Sequence, residues 1–575
     1  MSNEYVGTWV SAVRPRPLPW ALSTRTLLQL VLFAGIFILN FFMVTDPDLW
    51  WHLATGRYMV ETGRIPRTDP FSYTAAGRPW VAHEWLAEIA MYLLYRSGGY
   101  LVAVIVFAAI VTLTFFAVFR TLRLLGVSVV ATTCITFWVA AMSLAGWNVR
   151  PQVFSYLFFS LYLYLLLRSR QKRDRWLWLL PGVMALWVNL HAGYIMGLML
   201  LGMFLFGEGL NWLRDGRTGR HGDTETRGRG DPETGEHGDG EHPGLRAQDS
   251  ALGTQDSAIS IQDHAFRTRN RTSMLSRRGL AIAAATVLAT AVNPQGPSML
   301  LYPLTYAGTQ NASMKYIAEW QSPNFHDYFF FVFGTSMMVL MLAPRRRPLD
   351  WSVGIPVLVL TAMSLQSVRV IPFYALAVAP LLGMRLARQR PASTKGEVRS
   401  AEYGATDQGT AQGTTHRARC ASHSSAWNWL LLPLCLAAMG STLYFSDRAQ
   451  LGPEPRTVDY PAAGVRYLRD AGLTGNLFNT YRWGGFLIWS FYPERKVFID
   501  GRADMYGDQF VADYRRVYDA RAGWRDVLDE HQVEVALIEK DSALATLLAA
   551  SGEWQEAFRG EVEVVFVRHL LGRGG

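Results

Sequence analysis

The chain has 575 residues, of which 50% are hydrophobic, and its formal net charge at pH 7 is +9. The basic residues form short clusters between long apolar runs, as at Arg345-Arg346-Arg347, and no basic-aromatic module is visible, so the charge indicates no nucleic-acid partner. The three cysteines have no CxxC spacing and indicate neither a disulfide scaffold nor a zinc site.

The first predicted element is a charge-free apolar run over residues 26–45. As a helix, a run of about 20 residues spans roughly 30 Å, which is the thickness of the hydrocarbon core of a bilayer. It is too long for the apolar core of a signal peptide, and Asp46-Pro47-Asp48 follows it instead of a small-residue cleavage site. We therefore expect a retained membrane helix.

Further apolar runs predict an α-helical polytopic membrane protein with about eleven spans. The predicted spans lie near residues 26–45, 99–119, 125–146, 149–167, 176–191, 193–213, 279–293, 327–343, 351–366, 369–387 and 427–445. Most basic clusters fall on one side if the tail 1–25 is cytoplasmic, as the positive-inside rule requires. An odd number of spans then places the loop 46–98 and residues 446–575 outside.

Polar segments divide the chain into a first membrane block, 26–213, a second block, 279–387, and a last transmembrane helix, 427–445. Residues 214–278 are rich in Gly, Arg, Asp and Glu and predict a disordered cytoplasmic insert, and 388–426 predict a similar cytoplasmic linker. Either segment can be read as a regulatory docking site or as an insertion that a loop tolerates.

Residues 446–575 alternate strand-like and helix-like pieces and predict a small extracytoplasmic α/β domain. The predicted strands are GNLFNTY, KVFIDGR, VEVALIEK and EVEVVFVRH, and the predicted helices are 463–471 and 508–519. The domain has no cysteine, so we expect it to rest on its own core. Asn479, Tyr481, Trp483 and Asp500-Gly501-Arg502 are candidates for acceptor binding, or parts of an ordinary turn after a strand.

This topology gathers imidazoles, carboxylates and guanidiniums on the external surface, near helix ends. A membrane protein that concentrates such groups on one face is predicted to have a site there, although loops are polar in any case. The candidates are His52, His83, His191, His326, Asp46, Asp48, Asp69, Glu84, Glu319, Asp327, Arg150 and Arg369.

The strongest motif is the run from Asp46 to His52, DPDLWWH. Two carboxylates one residue apart can chelate a divalent cation, or act as a base and its orienting partner. If the segment is helical, Asp48 and His52 share a face, whereas Trp50 and Trp51 suit a membrane interface. The alternative is that one aspartate caps a helix and the tryptophans form an interfacial belt.

A second motif, His83-Glu84, resembles the start of a metalloprotease HExxH, but alanine occupies position 87. The stretch 85–95 is too short to span and carries Glu88, which predicts an interfacial helix that leads into the second span. Arg150 and Arg369 flank short external turns and could bind a phosphate.

These motifs, together with NVRPQVFSY, WVNLHAGY, NPQG and EWQSPNFHDY, resemble a bacterial group within the GT-C glycosyltransferases. That superfamily includes oligosaccharyltransferase catalytic subunits, protein O-mannosyltransferases and the aminoarabinose transferase of lipid A. The chain lacks the oligosaccharyltransferase WWD segment and the adjacent Asp-Glu of O-mannosyltransferases. Neither subgroup is therefore indicated.

The resemblance implies a multi-pass protein of the bacterial plasma (inner) membrane that takes a sugar from a polyprenyl-phosphate donor. The sugar would pass, with inversion, to a hydroxyl of a glycan, lipid or protein acceptor outside, in contact with membrane lipids. It also implies either no cofactor or a divalent cation, Mg or Mn, at Asp46 and Asp48. The implied catalytic residues are Asp46, Asp48, His52, His83 and Glu84, the donor-phosphate ligands Arg57, Arg150 and Arg369, and the substrate-binding residues His191, Glu319, His326, Trp50 and Trp51.

Two other functions remain open at this point. A lipid or glycan transporter, or flippase, would show charged or Gly/Pro-broken segments in matching halves, and no convincing internal repeat is visible. A non-catalytic envelope assembly factor would keep its activity when the acidic pair is replaced.

Overall fold

The computed structural model describes residues 22–42, 46–171, 175–227, 274–302, 318–324, 333–334, 336–337, 348–386, 427–445 and 460–569. The apolar part contains eleven of the described α-helices. They are α1 (Thr24–Leu39), α2 (Leu49–Thr62), α3 (Trp85–Leu124), α4 (Val129–Ser143), α5 (Gln152–Gln171), α6 (Leu179–Leu190), α7 (Tyr194–Arg227), α8 (Arg277–Leu288), α9 (Trp351–Gln366), α10 (Ile371–Leu386) and α11 (Trp427–Phe445).

Short 3₁₀ segments extend or join these helices. They are Asn40–Phe42, Leu144–Gly146, Arg175–Trp178, Ala289–Ala291, Gly296–Leu300, Ala318–Trp320 and Val368–Val370. Several helices begin where a side-chain oxygen caps a free backbone N–H: Ser23 accepts from Thr26 N at 3.1 Å, and Ser128 from Ala131 N at 3.3 Å. Helix α2 ends at Gly63, whose φ of 68° lies in the left-handed region.

Helix α3 is 40 residues long and packs against α1, α2, α4, α5, α6 and α10. Its backbone leaves helical geometry at Gly98 and Gly99, where Gly99 has a φ of 70°. The helix is therefore broken just before residue 99, where the sequence predicts the second span to begin. The first part of α3 carries polar residues toward the site, and the second part lies in the helical core.

Five segments of the described chain are long and apolar enough to cross a membrane: Thr24–Phe42, Trp85–Leu124, Val129–Gly146, Tyr194–Asp215 and Val368–Arg385. The predicted count of about eleven is not reached there, because hydropathy does not reveal where a helix stops. Residues 279–293, for example, form the 12-residue α8 and a 3₁₀ turn. The predicted span 327–343 lies largely outside the described residues.

Helix α7 continues to Arg227, beyond the predicted start of the disordered insert at 214. Loss of apolar residues marks the end of a membrane span, but a helix needs only its backbone hydrogen bonds to continue. Residues 228–273 of that insert, and the linker up to 426, lie outside the described residues.

The C-terminal region is a small α/β unit with one four-stranded sheet. Its strands are β1 (Asn476–Asn479), β2 (Val533–Glu539), β3 (Trp554–Arg559) and β4 (Glu563–Arg568), in the order β1-β2-β4-β3. β1 and β2 are parallel, and β4 is antiparallel to both β2 and β3. Its helices are α12 (Ala462–Asp470), α13 (Gly484–Phe491), α14 (Ala503–Tyr506), α15 (Asp508–Tyr518), α16 (Trp524–Glu530) and α17 (Ala543–Ala550), with a 3₁₀ turn at Tyr481–Trp483.

The two faces of the sheet bury different partners, because successive strand residues point to opposite sides. Phe478 and Ile538 face a core formed with α15, α16 and α17. Leu477 and Leu537 face a second core, which includes residues of α12 and α13 and also Phe71 and Trp80 of the loop 46–98. The expectation that this region rests on its own core is therefore wrong for one face, and the loop is fixed to the α/β region.

Candidate functional site

The two predicted acids lie just before helix α2 and share the guanidinium of Arg150. Arg150 donates from Nη1 to Asp46 Oδ2 at 2.9 Å and from Nη2 to Asp48 Oδ2 at 2.6 Å. The Asn148 amide adds a hydrogen bond to Asp46 Oδ2 at 3.2 Å, and the Asp48 backbone N–H donates to Asp46 Oδ1 at 3.0 Å. Arg150 thus supplies a positive charge that the two carboxylates share.

Glu319 is the third carboxylate on the same guanidinium, at 2.9 Å from Arg150 Nη1. Its short 3₁₀ segment is held in place because Ser367 Oγ donates to the Glu319 carbonyl at 2.9 Å and Val368 N donates to Gln321 O at 3.1 Å. The Glu319 side chain is 37% exposed, more than either aspartate. Three carboxylates therefore share the guanidinium of Arg150, and Glu319 lies on the solvent side of the cluster.

Burial, more than the neighbouring charges, sets the protonation of Asp48. Burial raises the pKa of Asp48, the charges of Asp46 and Glu319 raise it further, and Arg150 only partly opposes them, so the pKa reaches about 7. Asp48 stands at the N-cap position of α2, but its side chain makes no capping hydrogen bond. The N-cap alternative therefore explains where Asp48 lies in the chain, but it gives the carboxylate of Asp48 no role.

A second cluster lies one helical turn beyond the acid pair and is centred on Glu84. Glu84 Oε2 lies 3.6 Å from His52 Nδ1, and Glu84 Oε1 lies 3.4 Å from both His83 Nε2 and His191 Nε2. His52 is 2% exposed and His191 is 7% exposed. Both histidines are therefore buried within the protein, and the prediction that they lie on the external side of the membrane stays a prediction.

Burial also keeps the His52 ring neutral: it lowers the pKa of His52 to about 3, against the opposing charge of Glu84. The protonation of His191 is fixed by its neighbours. His191 Nδ1 accepts from Gly193 N at 2.8 Å and faces Ser155 Oγ at 2.7 Å, and Trp187 Nε1 donates to the same hydroxyl at 2.7 Å. In a neutral ring the proton must then be on Nε2, the atom that faces Glu84.

Glu88 is the site residue that the sequence analysis missed. It lies on the first turn of α3 and is 1% exposed. Its Oε1 lies 3.3 Å from His52 Nδ1, at hydrogen-bond distance. Glu84 and Glu88 are four residues apart, so a helical segment places both carboxylates on one face. That spacing is the signal in the sequence that indicates Glu88 as a partner of Glu84.

The predicted phosphate ligands have different surroundings. Arg57 donates to the carbonyls of Trp489 and Tyr492 at 3.3 and 3.2 Å, and thereby joins α2 to α13. The Arg369 guanidinium lies 5.0 Å from the ring centroid of Trp320, the neighbour of Glu319. Within the described ranges, Arg369 has no carboxylate at ion-pair distance, so its donors remain available at the edge of the acid cluster.

The two tryptophans of the first motif are buried and do not form an interfacial belt. Trp50 packs edge-on against Tyr95, Tyr460 and Phe486. Trp51 packs edge-on against Trp80. Both therefore join α2 to the α/β region instead of facing lipid. The remaining predicted substrate ligand, His326, lies outside the described residues.

The candidate acceptor-binding groups of the α/β region are occupied by its own fold. Asn479 Oδ1 accepts from Phe498 N at 2.8 Å, and Trp483 is fully buried. Arg502 donates to Asp500 from Nε at 2.7 Å and from Nη2 at 2.6 Å. Gly501 has a different importance: a Cβ there would lie 2.1 Å from Asp48 Oδ1, so this turn forms a wall of the site.

The sequence matches no protein-family model, and the search of curated proteins finds no match. Its structure is similar to that of the archaeal oligosaccharyltransferase AglB from Archaeoglobus fulgidus in complex with an inhibitory peptide and a dolichol-phosphate, with 12% identity, a TM-score of 0.48, and coverage of 89% of this chain and 69% of that chain. An Archaeoglobus fulgidus oligosaccharyltransferase tethered with an acceptor peptide has a TM-score of 0.47 at 12% identity, with coverage of 90% of this chain and 69% of that chain. Its apo form has a TM-score of 0.45 at 11% identity, covering 90% and 70%.

Proposed function

We propose that this chain is an integral-membrane glycosyltransferase that transfers a sugar from a polyprenyl-phosphate-linked donor to an extracytoplasmic acceptor hydroxyl, with inversion. The observation that carries the proposal is a carboxylate with a pKa near 7, Asp48, in a cluster bordered by the guanidinium of Arg369. A base is most effective when its pKa is near the working pH. A guanidinium at the border of the cluster suits the phosphate of a departing lipid carrier.

In the proposed step, ionised Asp48 takes the proton of the acceptor hydroxyl as its oxygen attacks the anomeric carbon. The bond from that carbon to the phosphate oxygen breaks, and its electron pair leaves with the polyprenyl phosphate. Arg369 stabilises the negative charge that develops on the phosphate. A single displacement of this kind inverts the anomeric centre.

Asp46 and Arg150 position the base in this proposal. Arg150 binds one oxygen of each aspartate, and the Asp48 N–H binds Asp46, so the two carboxylates have a fixed relative geometry. Because Arg150 already supplies a positive charge to the pair, the step needs no ion between Asp46 and Asp48. Glu319 is the fourth member of this cluster and accepts a hydrogen bond from Arg150.

One experiment can test the role of Asp48 as the base and also identify the sugar donor. In a strain that lacks the gene, mass analysis of lipid-linked sugars and envelope glycans should show one polyprenyl-phosphate sugar accumulating and one sugar missing from a glycan or lipid. The parent gene should reverse both changes, and Asp48→Asn should not, since loss of a general base typically costs 10²- to 10⁴-fold in rate.

Glu556→Gln is the matched control, because it also converts a carboxylate to an amide, but at an exposed pair with Arg559. It should restore both products. If Asp46→Asn and Asp48→Asn both restore the missing sugar as well as the parent does, the acid pair is structural and the mechanism is wrong. If no lipid-linked sugar accumulates and a lipid changes leaflet instead, the chain is a transporter.

A further inference from the structure

We propose that His52, Glu84 and Glu88 form a binding site for a first-row divalent cation, Zn²⁺ first among them. The three side chains come from different parts of the fold: α2, the loop before α3, and the first turn of α3. One ligand atom of each lies within 4.8 Å of the other two. This site is separate from the acid pair and goes beyond the proposed function, because it concerns residues that do not touch Arg150.

The spacing of the donor atoms fits a shared cation. His52 Nδ1 lies 3.3 Å from Glu88 Oε1 and 3.6 Å from Glu84 Oε2. Zn²⁺ binds imidazole nitrogen and carboxylate oxygen at about 2.0–2.2 Å, and tetrahedral ligands at those bond lengths are roughly 3.3–3.6 Å apart. The three side chains can therefore ligate one ion with small adjustments.

Glu88 supplies an independent reason to expect a ligand. Its Oε2 is buried and has no hydrogen-bond partner among the residues that the structure describes. A buried carboxylate oxygen without a partner is costly, and proteins usually satisfy such an atom with a donor, a water or an ion. A cation between Glu84 and Glu88 removes this cost if Oε2 binds it, either alone or together with Oε1.

The charge of the cluster also favours a bound cation. In the described part of the chain, the ion-pair partners of Glu84 and Glu88 are histidines. The neighbouring guanidiniums are engaged with other carboxylates: Arg150 with the acid pair and Glu319, and Arg502 with Asp500 and Asp69. Two glutamates in a buried site thus lack a guanidinium or ammonium of their own, and a divalent cation would balance both.

Outer groups hold Glu84 in the orientation that ligation needs. The chain of contacts from Trp187 to Ser155 to His191 puts the proton of His191 on Nε2, 3.4 Å from Glu84 Oε1. His83 Nε2 lies 3.4 Å from the same oxygen. Glu84 Oε2 is consequently the oxygen turned to His52. Metal sites commonly use second partners of this kind to orient a ligand.

The donor set selects the class of ion. Imidazole with carboxylates suits Zn²⁺ and its first-row neighbours, whereas Mg²⁺ and Ca²⁺ prefer oxygen ligands alone. The lack of a CxxC spacing excludes only zinc sites with thiolate ligands. The ligands proposed here are an imidazole and two carboxylates. Three protein ligands leave a fourth position for water. An ion here would tie α2 to α3 at His52, four residues after Asp48.

The test measures metal content, so it does not depend on transferase activity. The full-length protein, purified in detergent without chelators, should contain about one zinc per chain by elemental mass spectrometry. Glu88→Gln and His52→Ala should each lower this to background. Glu208→Gln is the matched control: it also removes a buried glutamate with an unpartnered Oε2, but one that pairs with Arg170, and it should retain the metal.

A second measurement covers variants that fail to fold. The parent protein, stripped with chelator, should gain thermal stability when Zn²⁺ is added, as expected of a ligand that binds the folded state. X-ray absorption at the zinc edge should show nitrogen and oxygen ligands near 2.0 Å and no sulfur. The proposal is overturned if the parent contains no metal and Zn²⁺, Mn²⁺ and Fe²⁺ leave its stability unchanged, or if the metal remains in both His52→Ala and Glu88→Gln.

Discussion

Arg502 in the α/β region donates from Nη1 to Asp69 Oδ1 in the loop 46–98 at 2.8 Å. Both side chains are buried, and the same guanidinium binds both oxygens of Asp500. Asp69 also accepts from Phe71 N at 2.9 Å. The loop that carries the acid pair is therefore fixed to the α/β region by a satisfied buried ion network, in addition to the apolar core that they share.

The first prediction follows from this network. Arg502→Met keeps most of the side-chain volume but leaves Asp69 and Asp500 as buried carboxylates without their cation. Breaking one side of a buried ion network typically costs about 3–5 kcal/mol. The apparent Tm in detergent should fall clearly. Arg559→Met, at an exposed ion pair with Glu556, should leave the Tm close to that of the parent, and an equal fall in both variants would refute a special role for Arg502.

The second prediction concerns Gly501. Its missing side chain leaves room for Asp48: a Cβ would lie 2.1 Å from Asp48 Oδ1 and 2.9 Å from Trp51 Nε1. Asp48 cannot swing away freely, since Arg150 holds its other oxygen at 2.6 Å. We expect Gly501→Ala to lower the transfer rate by at least roughly 10-fold, which corresponds to about 1.4 kcal/mol of barrier.

The control for this change is Gly202→Ala in α7, where an added Cβ meets no atom within 4 Å. It should leave the rate unchanged, because alanine suits a helix better than glycine does. Gly501→Ala with the parent rate would show that the turn does not shape the site.

The third prediction tests the phosphate contact. Arg369→Gln keeps a planar polar group but removes the charge, and a hydrogen bond to a charged group contributes about 1.5–3 kcal/mol. We expect kcat/KM for the lipid-linked donor to fall roughly 10- to 100-fold. Arg278→Gln, at the exposed start of α8, should not change it. If the loss appears only in the dependence on acceptor concentration, Arg369 does not bind the donor phosphate.

Local patterns predicted much of the fold. A helix in the apolar run 26–45, the helix over 427–445 and the strands β1, β2 and β4 are confirmed, because each depends on neighbours in sequence. The segment KVFIDGR has strand-like alternation but forms only an isolated bridge from Val497 to Ser72. Val497 bonds through its backbone to Phe71 and Tyr73 of the loop 46–98, and Phe498 N bonds to the side chain of Asn479, and no local pattern could reveal these partners.

Strand β3 was missed for the opposite reason: its sequence WQEAFR is largely polar, as an edge strand can be. At the site, the acid pair, Arg150 and Glu319 were predicted on one face, and the structure brings them into contact. The association of His52 with Glu84 and Glu88 depends on how α2 packs against α3. Sequence spacing alone could only have suggested that Glu84 and Glu88 share a helix face.

The fourth prediction is the pH dependence of transfer. The pKa of Asp48 is raised to about 7, so a growing fraction of the base is protonated and inactive as the pH falls below that value. The rate should rise with pH up to about 7 and then level off. Initial rates between roughly pH 5.5 and 8.5, with the donor saturating, would measure this limb. A rate that is flat or falls over this range would exclude Asp48 as the base.

The last prediction tests whether Asp48, and not another ionisable group, causes the pH dependence of the transfer rate. Glu319 raises the pKa of Asp48 by its negative charge, and it also takes one of the hydrogen bonds of Arg150. Glu319→Gln removes both effects, so the pKa of Asp48 should fall and the rising limb of the rate profile should move to lower pH. Glu556→Gln, remote and exposed, should leave the limb where it is. If Glu319→Gln retains activity but its limb stays at the parent position or moves to higher pH, then the group that titrates is not Asp48, and the three carboxylates do not share Arg150 in the working enzyme.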